Sequence, residues 1–245
     1  MKVAIIVQAR MTSTRLPGKV LKEVSGKELL AYQLERLRQV ALADEIIIAT
    51  TVRDSDIPIV EFCKKHQIAY FRGSEEDVLS RYYYAAKESN ADVIVRVTSD
   101  CPVIDPRIID KAICLFIENM DTYDYVSNSL EPSYPRGMDV EVCSFEVLAQ
   151  AFREAADKPD REHVTPFIYM RPERYRLANL HLGQDRSEYR LTVDTMEDYE
   201  LIKRILQSLY PANPAFSLDD IFELLRKNPE WRLINAEIQQ KKYGE

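Results

Sequence analysis

Apolar and polar positions along the first half of the chain fall into short apolar runs separated by amphipathic stretches. Lys2–Val7 is a β-rich run, and Glu28–Val40 carries Leu29, Leu30, Leu34 and Leu37 near helical spacing. Glu45–Thr51 predicts a second strand and Asp54–His66 a helix that Asp54-Ser55-Asp56 opens as a cap. Ala69–Arg72 is a short strand. Glu75–Glu88 follows as a helix with the stripe Val78, Leu79, Tyr82 and Ala86, and with Ser74 as its N-cap. Asp92–Thr98 is almost continuously apolar, as in a buried parallel strand, and Pro106–Ile117 is a helix with Pro106 near its first turn.

Strand–helix alternation at this spacing predicts an α/β fold, a mostly parallel sheet with helices on both faces. Ligands of such sheets sit outside the carboxyl ends of the strands. That rule puts the loop after Val7, the Thr50–Asp54 loop and Ser99-Asp100-Cys101-Pro102 on one rim. From Tyr123 the rhythm changes. Tyr123–Ser127 and Met138–Val142 predict strands around a turn-rich segment, Phe145–Ala156 and Glu162–Met170 helices, and Tyr175–His181 and Glu188–Val193 extended chain. The stretch 123–190 reads as an insertion covering the rim within one domain spanning 1–245. Glu197–Leu209 and Ser217–Lys227 predict closing helices, Ser217 an N-cap, and Gln239–Glu245 a frayed end.

Composition narrows the function classes. A net charge of −7 argues against a non-specific nucleic-acid binder, which needs a basic face. No apolar run approaches the roughly 20 residues of a membrane helix, and the short apolar N-terminus lacks the marks of a signal peptide. A cytoplasmic protein that binds neither nucleic acid nor membrane is expected. Cys63, Cys101, Cys114 and Cys143 show no C-x-x-C spacing, which predicts free or buried thiols.

The chemistry concentrates after the first strand, in Val7-Gln8-Ala9-Arg10-Met11-Thr12-Ser13-Thr14-Arg15-Leu16-Pro17-Gly18-Lys19. Three cations, Arg10, Arg15 and Lys19, stand beside three hydroxyls at the end of a buried strand. A triphosphate needs such charge, many donors, and a tight turn that Pro17-Gly18 sets. The loop lacks the Walker pattern. Asp100 ends a strand on the same rim, where Mg²⁺ would use a carboxylate together with phosphate oxygens; a turn-forming Asp before Pro102 is the plainer reading. Asp194, in Val193-Asp194-Thr195-Met196-Glu197-Asp198, either joins such a site or, like Thr195, caps the following helix. Arg136, Asp139 and Glu141 alternate along a hairpin and would offer polar groups near one another; a surface hairpin with incidental charges is the alternative. His163 lies in the polar cluster Arg161–Pro166 and serves either a site, an interface or a helix start.

On the loop residues the chain resembles the cytidylyltransferases that make CMP-sugars, typified by CMP-Kdo and CMP-sialic acid synthetases. It is most similar to the SpsF branch of spore-coat polysaccharide biosynthesis; Gln8 departs from the Pro often found before Ala-Arg in CMP-Kdo synthetases. The resemblance implies a Rossmann-like sheet of the nucleotide-diphospho-sugar transferase type. It implies that Arg10, Arg15 and Lys19 grip CTP phosphates and that backbone at Gln8 and Ala9 meets the nucleotide. It places Arg72 near cytosine, Arg136, Asp139 and Glu141 along the sugar pocket with His163, and Asp100 and Asp194 on Mg²⁺. Arg10, Lys19 and Asp100 would carry the chemistry. The inserted region of related synthetases forms a homodimer contact, so a homodimer acting on CTP and a sugar is expected.

Three rivals remain. A glycosyltransferase with a nucleotide-sugar donor would place Asp-x-Asp where this chain has Thr98-Ser99-Asp100. A nucleotidyltransferase using UTP or GTP fits the loop equally. A silent binding module is the third, and the joint presence of Arg10, Lys19, Asp100 and Asp194 argues against it.

Overall fold

The computed structural model describes residues 1–239, so positions 240–245 of the predicted frayed end lie outside the described residues. Val3–Gln8 (β1) leads through a small ribbon, Glu23–Val24 (β2) and Lys27–Glu28 (β3), into Leu29–Leu37 (α1). Glu45–Thr51 (β4), Ile57–His66 (α2), Ala69–Gly73 (β5), Val78–Ser89 (α3), Val93–Thr98 (β6) and Pro106–Glu118 (α4) continue the alternation. Then come Tyr125–Ser127 (β7), Glu141–Ser144 (β8), Phe145–Glu154 (α5), Lys158–His163 (α6), Pro166–Tyr169 (α7) and Leu177–Asn179 (β9). Met196–Leu209 (α8) and Leu218–Lys227 (α9) follow.

Seven of these strands form one sheet in the order β5-β4-β1-β6-β8-β7-β9. β1 lies parallel to β4 and β6, and β4 to β5. β8 runs antiparallel to β6 and β7, and β9 parallel to β7, so the 123–190 stretch extends the main sheet. The apolar runs are buried on both faces, as the near-continuous pattern predicts. Val3, Ile5 and Val7 of β1 pack with Val93, Val95 and Val97 of β6 in one core, which also holds α1, α4 and α8 residues. Ala4 and Ile6 turn to the other face, against Leu79, Tyr82 and Ala86 of α3. Arg96 is the charged exception in β6 and lies on that second face. Among the described residues no helix is long and apolar enough to cross a membrane. All four cysteines are free thiols, and three are buried.

Element boundaries shift where side chains compete with the backbone. α3 starts at Val78, not Glu75: Ser74 Oγ accepts from the Asp77 N–H at 3.1 Å, and Asp77 is the N-cap, accepting from Ser80 N–H. The predicted helix Glu162–Met170 is broken into α6 and α7 because Val164 adopts φ 76° and Pro166 has no N–H to continue the ladder. Met138–Val140 is held by the Asn128 side chain with one long backbone bond, Asn128 N–H to the Val140 carbonyl at 3.4 Å, instead of by a full strand ladder. Asn128 Nδ2 donates to the Met138 carbonyl at 2.7 Å and its Oδ1 accepts from Val140 N–H at 2.9 Å, so β8 begins only at Glu141. Glu188–Val193 is extended but joins the hairpin through a single bridge, Arg136 with Arg190. Thr195 and Ser217 cap α8 and α9 with reciprocal Asp198 and Asp220 bonds. The β2–β3 ribbon went unread, although Ser25-Gly26, both at positive φ, is a two-residue hairpin signal.

Gly137 fixes how the hairpin meets the 190–192 segment. Its φ is +102°, and a Cβ there would lie 2.5 Å from the Leu191 carbonyl carbon. Gly137→Ala should therefore destabilise the protein by more than about 1 kcal/mol. Urea denaturation of both proteins checks this; an unchanged midpoint would mean the two segments separate freely.

Candidate active site

The chain runs from β1 to β4 and β5 on one side, then returns to β6 on the other side of β1. This reversal opens a crevice at the carboxyl ends of β1 and β6, the place where α/β sheets bind ligands. Gln8 ends β1, and its carbonyl accepts from Ser99 N–H at 3.2 Å. The cation-rich loop then folds on itself: the Met11 carbonyl accepts from Ser13 N–H at 3.0 Å and Gly18 N–H at 2.9 Å. Gly18, at φ 67°, turns the chain into the short 3₁₀ segment Lys19–Leu21. Asp56 anchors the loop. It is fully buried and accepts from Met11 N–H at 2.7 Å and from the Thr51 hydroxyl. The capping role read for Asp54-Ser55-Asp56 is thereby corrected, since Asp56 makes no side-chain cap bond; an unmet N–H in the loop takes its carboxylate instead.

Lys19 Nζ lies 2.9 Å from Asp100 Oδ2 and 2.7 Å from Asp194 Oδ1. The two acids are far apart in sequence and are stitched together by backbone. The Asp100 carbonyl accepts from Val193 N–H at 2.8 Å and from the Thr192 hydroxyl at 3.0 Å. Burial acts to raise the Asp100 pKa, but the Lys19 ammonium and the Thr98 hydroxyl, 2.5 Å from Oδ1, outweigh it and hold the carboxyl below its ordinary value. Burial likewise opposes the charge on Lys19, and the two acids overcome it and raise its pKa. Thr195, not Asp194, caps α8, which leaves the Asp194 carboxylate to cations. Its Oδ2 meets Arg15 Nη2 at 3.0 Å and Arg190 Nη2 at 2.7 Å.

The loop's cations thus divide. Lys19 and Arg15 gather at Asp194, while Arg10 stands 3.7 Å from Glu75, which also accepts from Thr12 and pairs with Arg53. Arg10, Arg53 and Glu75, with Glu76, Lys158 and Glu162, line a cleft of about 280 Å³. Arg72 lies at the same rim end, its guanidinium bonded to the carbonyls of Thr51 at 3.0 Å and Arg53 at 3.2 Å.

The hairpin residues separate into two groups. Arg136 pairs with Asp139 at 2.9 Å, and Asp139 also accepts from Gly137 N–H. Glu141, expected beside them, instead accepts from Arg96 Nη1 at 2.7 Å and from the Thr165 hydroxyl at 2.6 Å. The antiparallel register causes this, because it sets Glu141 opposite Arg96. Arg96 Nη2 also donates to Gln8 Oε1 at 3.2 Å, so Gln8 brings its side chain as well as its backbone to the cluster. His163 belongs here too. Burial lowers its pKa, Glu162 and Glu141 oppose this, and Arg96 adds to it. Arg161 is a fastener, its guanidinium spanning both oxygens of Asp77. The sequence reading missed Asp56, Glu75, Arg96, Arg190 and Asp198. A charge inside the apolar Asp92–Thr98 run was the one available signal for Arg96.

Among the described residues no three His, Cys, Asp or Glu side chains cluster as a metal cage. Asp100 and Asp194 converge on one cation, the number of carboxylates Mg²⁺ takes when phosphate oxygens and waters complete its shell. The donor set fits that ion.

The cytidylyltransferase family model matches residues 4–226. The chain is 36% identical over 235 residues to the spore coat polysaccharide biosynthesis protein SpsF of Bacillus subtilis, covering 93% of this chain and 95% of that protein. It is 38% identical over 120 residues to the 3-deoxy-manno-octulosonate cytidylyltransferase of Chloroherpeton thalassium, about half of each chain (49% and 48%). The solved structure of a cytidylyltransferase from Leptospira borgpetersenii superposes with a TM-score of 0.91 at 35% identity, covering 99% of this chain and 100% of that one. The chain belongs to the cytidylyltransferase family and is thereby a nucleotidyltransferase.

Proposed function

We propose that the protein transfers CMP from CTP to a hydroxyl of an acidic or related sugar and releases pyrophosphate, supplying an activated sugar for surface or spore-coat polysaccharide. The observation that carries this reading is the convergence of Lys19, Asp100 and Asp194 at the β1/β6 crevice, beside the loop bearing Arg10 and Arg15. The names of the SpsF and 3-deoxy-manno-octulosonate relatives support the polysaccharide and acidic-sugar parts. The setting is cytoplasmic, and the working form a homodimer joined through 123–190.

In this reading the acceptor oxygen bonds to the α-phosphorus as the bond to the bridging oxygen of the β-phosphate breaks, and the hydroxyl proton passes to solvent water. Lys19 and Arg15 exchange their carboxylate partners for phosphate oxygens, and Arg10 leaves Glu75 for the triphosphate; all three then stabilise the departing pyrophosphate. Backbone at Gln8 and Ala9 and the Arg72 guanidinium border the cytidine. Arg136 with Asp139, and Glu141 with Thr165 and His163, border the sugar. Asp100 and Asp194 would hold Mg²⁺, which supplies charge neutralisation at the α-phosphate. Asp100, kept ionised and weakly basic by Lys19, is suited to balancing charge rather than taking the hydroxyl proton.

Three measurements test this. Pyrophosphate release should occur with Mg²⁺, CTP and an acidic sugar from a panel of such acceptors; release only with UTP or GTP, or transfer from a nucleotide sugar, would overturn it. Asp100→Asn should lower kcat at least about a hundredfold with an unchanged circular-dichroism spectrum, since several kcal/mol of transition-state charge stabilisation is lost. Asp56→Ala leaves the Met11 N–H unmet and loosens the loop, so the KM for CTP should rise about tenfold; an unchanged KM would detach Asp56 from nucleotide binding.

A further inference from the structure

Asp194 is held in place by more than the groups that face the crevice. Behind it, Arg190 Nη2 donates to Asp194 Oδ2 at 2.7 Å, and Arg190 Nε and Nη2 grip Asp198 Oδ1 and Oδ2 at 2.8 and 3.0 Å. Asp198 is fully buried and does two jobs at once. Its Oδ2 accepts from the backbone N–H of Asp194 at 3.0 Å and of Thr195 at 3.2 Å, so it fixes the backbone on which Asp194 sits as well as the guanidinium that aims its side chain.

The last link comes from beyond α9. Asn235, 5% exposed, donates through Nδ2 to Asp198 Oδ1 at 2.8 Å and to the Arg190 carbonyl at 3.0 Å. Both neighbours are acceptors only, so the amide nitrogen is the atom that must face them. A single side chain thereby ties the strand-like 190 segment to the first turn of α8, on either side of Asp194. The family model matches residues 4–226, and Asn235 lies beyond that stretch.

We propose that Asn235 is a positioning residue for nucleotidyl transfer, acting through Asp198 and Arg190 to hold the Asp194 carboxylate at the angle that cation binding requires. The inference rests on the reading of Asp194 as a carboxylate that meets the catalytic cation. A hydrogen-bonded carboxylate offers its lone pairs in one direction, and a freely rotating one does not. Asn235 touches no reacting group. Its truncation removes two donors from buried acceptors and lets Asp198 and Arg190 shift together.

The test uses the full chain, Mn²⁺ as the probe and CTP at fixed concentration, with binding read by water-proton relaxation and therefore independent of turnover or acceptor. Wild type, Asn235→Ala, Arg190→Lys, the double variant and Asp194→Asn are compared, each with its Tm. Arg190→Lys keeps the charge but cannot bridge two carboxylates. Asn235→Ala should weaken Mn²⁺ binding about tenfold and lower kcat by a similar factor with little change in the KM for CTP. Arg190→Lys should do the same, and the double variant should be no weaker than Arg190→Lys alone, because both act through one chain of contacts. Wild-type Mn²⁺ affinity in Asn235→Ala, with or without a fall in Tm, overturns the proposal, as do multiplicative losses in the double variant. Asp194→Asn binding Mn²⁺ as tightly as wild type would instead overturn the reading of Asp194 itself.

Discussion

Two carboxylates brought together at the end of a sheet repel one another unless a cation stands between them, and here that cation is Lys19. Its ammonium bridges Asp100 and Asp194 from a loop that is itself folded around the Met11 carbonyl and pinned by Asp56. A partly buried charge of either sign is costly alone, and removing one partner leaves the others uncompensated. The three segments are therefore mutually dependent. The loop after β1, the turn after β6 and the segment before α8 each present a charge that the others make tolerable. The Val193–Asp100 backbone bond sets their spacing.

This arrangement suits an enzyme that must bind a polyanion and then release it. Lys19, Arg15 and Arg10 already have carboxylate partners, so a triphosphate would exchange partners instead of meeting bare charge. The desolvation cost of Lys19 is met before the nucleotide arrives, and the raised pKa keeps it charged. Preorganisation of this kind is where electrostatic catalysis gains most. The Arg96–Glu141 pair, with Thr165 and Gln8, extends the same principle to the other face of the sheet, where a second polar cluster is fixed by strand register.

Much of the fold was legible because periodicity is a local property. The strands at 3–8, 45–51 and 93–98 and the helices after them follow from apolar spacing, and the cap at Ser217 follows from the residues that open its helix. Boundaries failed where a distant or irregular feature took over a backbone bond. Asn128 replaces a strand partner for Met138 and Val140, Val164 breaks a helix by its backbone angle, and Asp77 displaces Ser74 as a cap. None of these competitions is settled by propensity alone.

The cation-rich loop and Asp100 stand out as a candidate site from the chain alone, because residue type, spacing and position at a strand end mark each of them. Which acids Lys19 would meet, that Thr195 frees Asp194 from capping, and that Glu141 turns to Arg96 instead of Asp139, were decided by the tertiary structure. Each depends on segments distant along the chain meeting through sheet register, strand order or a backbone bond such as Val193 to Asp100. Sequence specifies which charges are present; only the closed sheet determines which of them share a boundary, because Coulomb energy depends on distance in space and not along the chain.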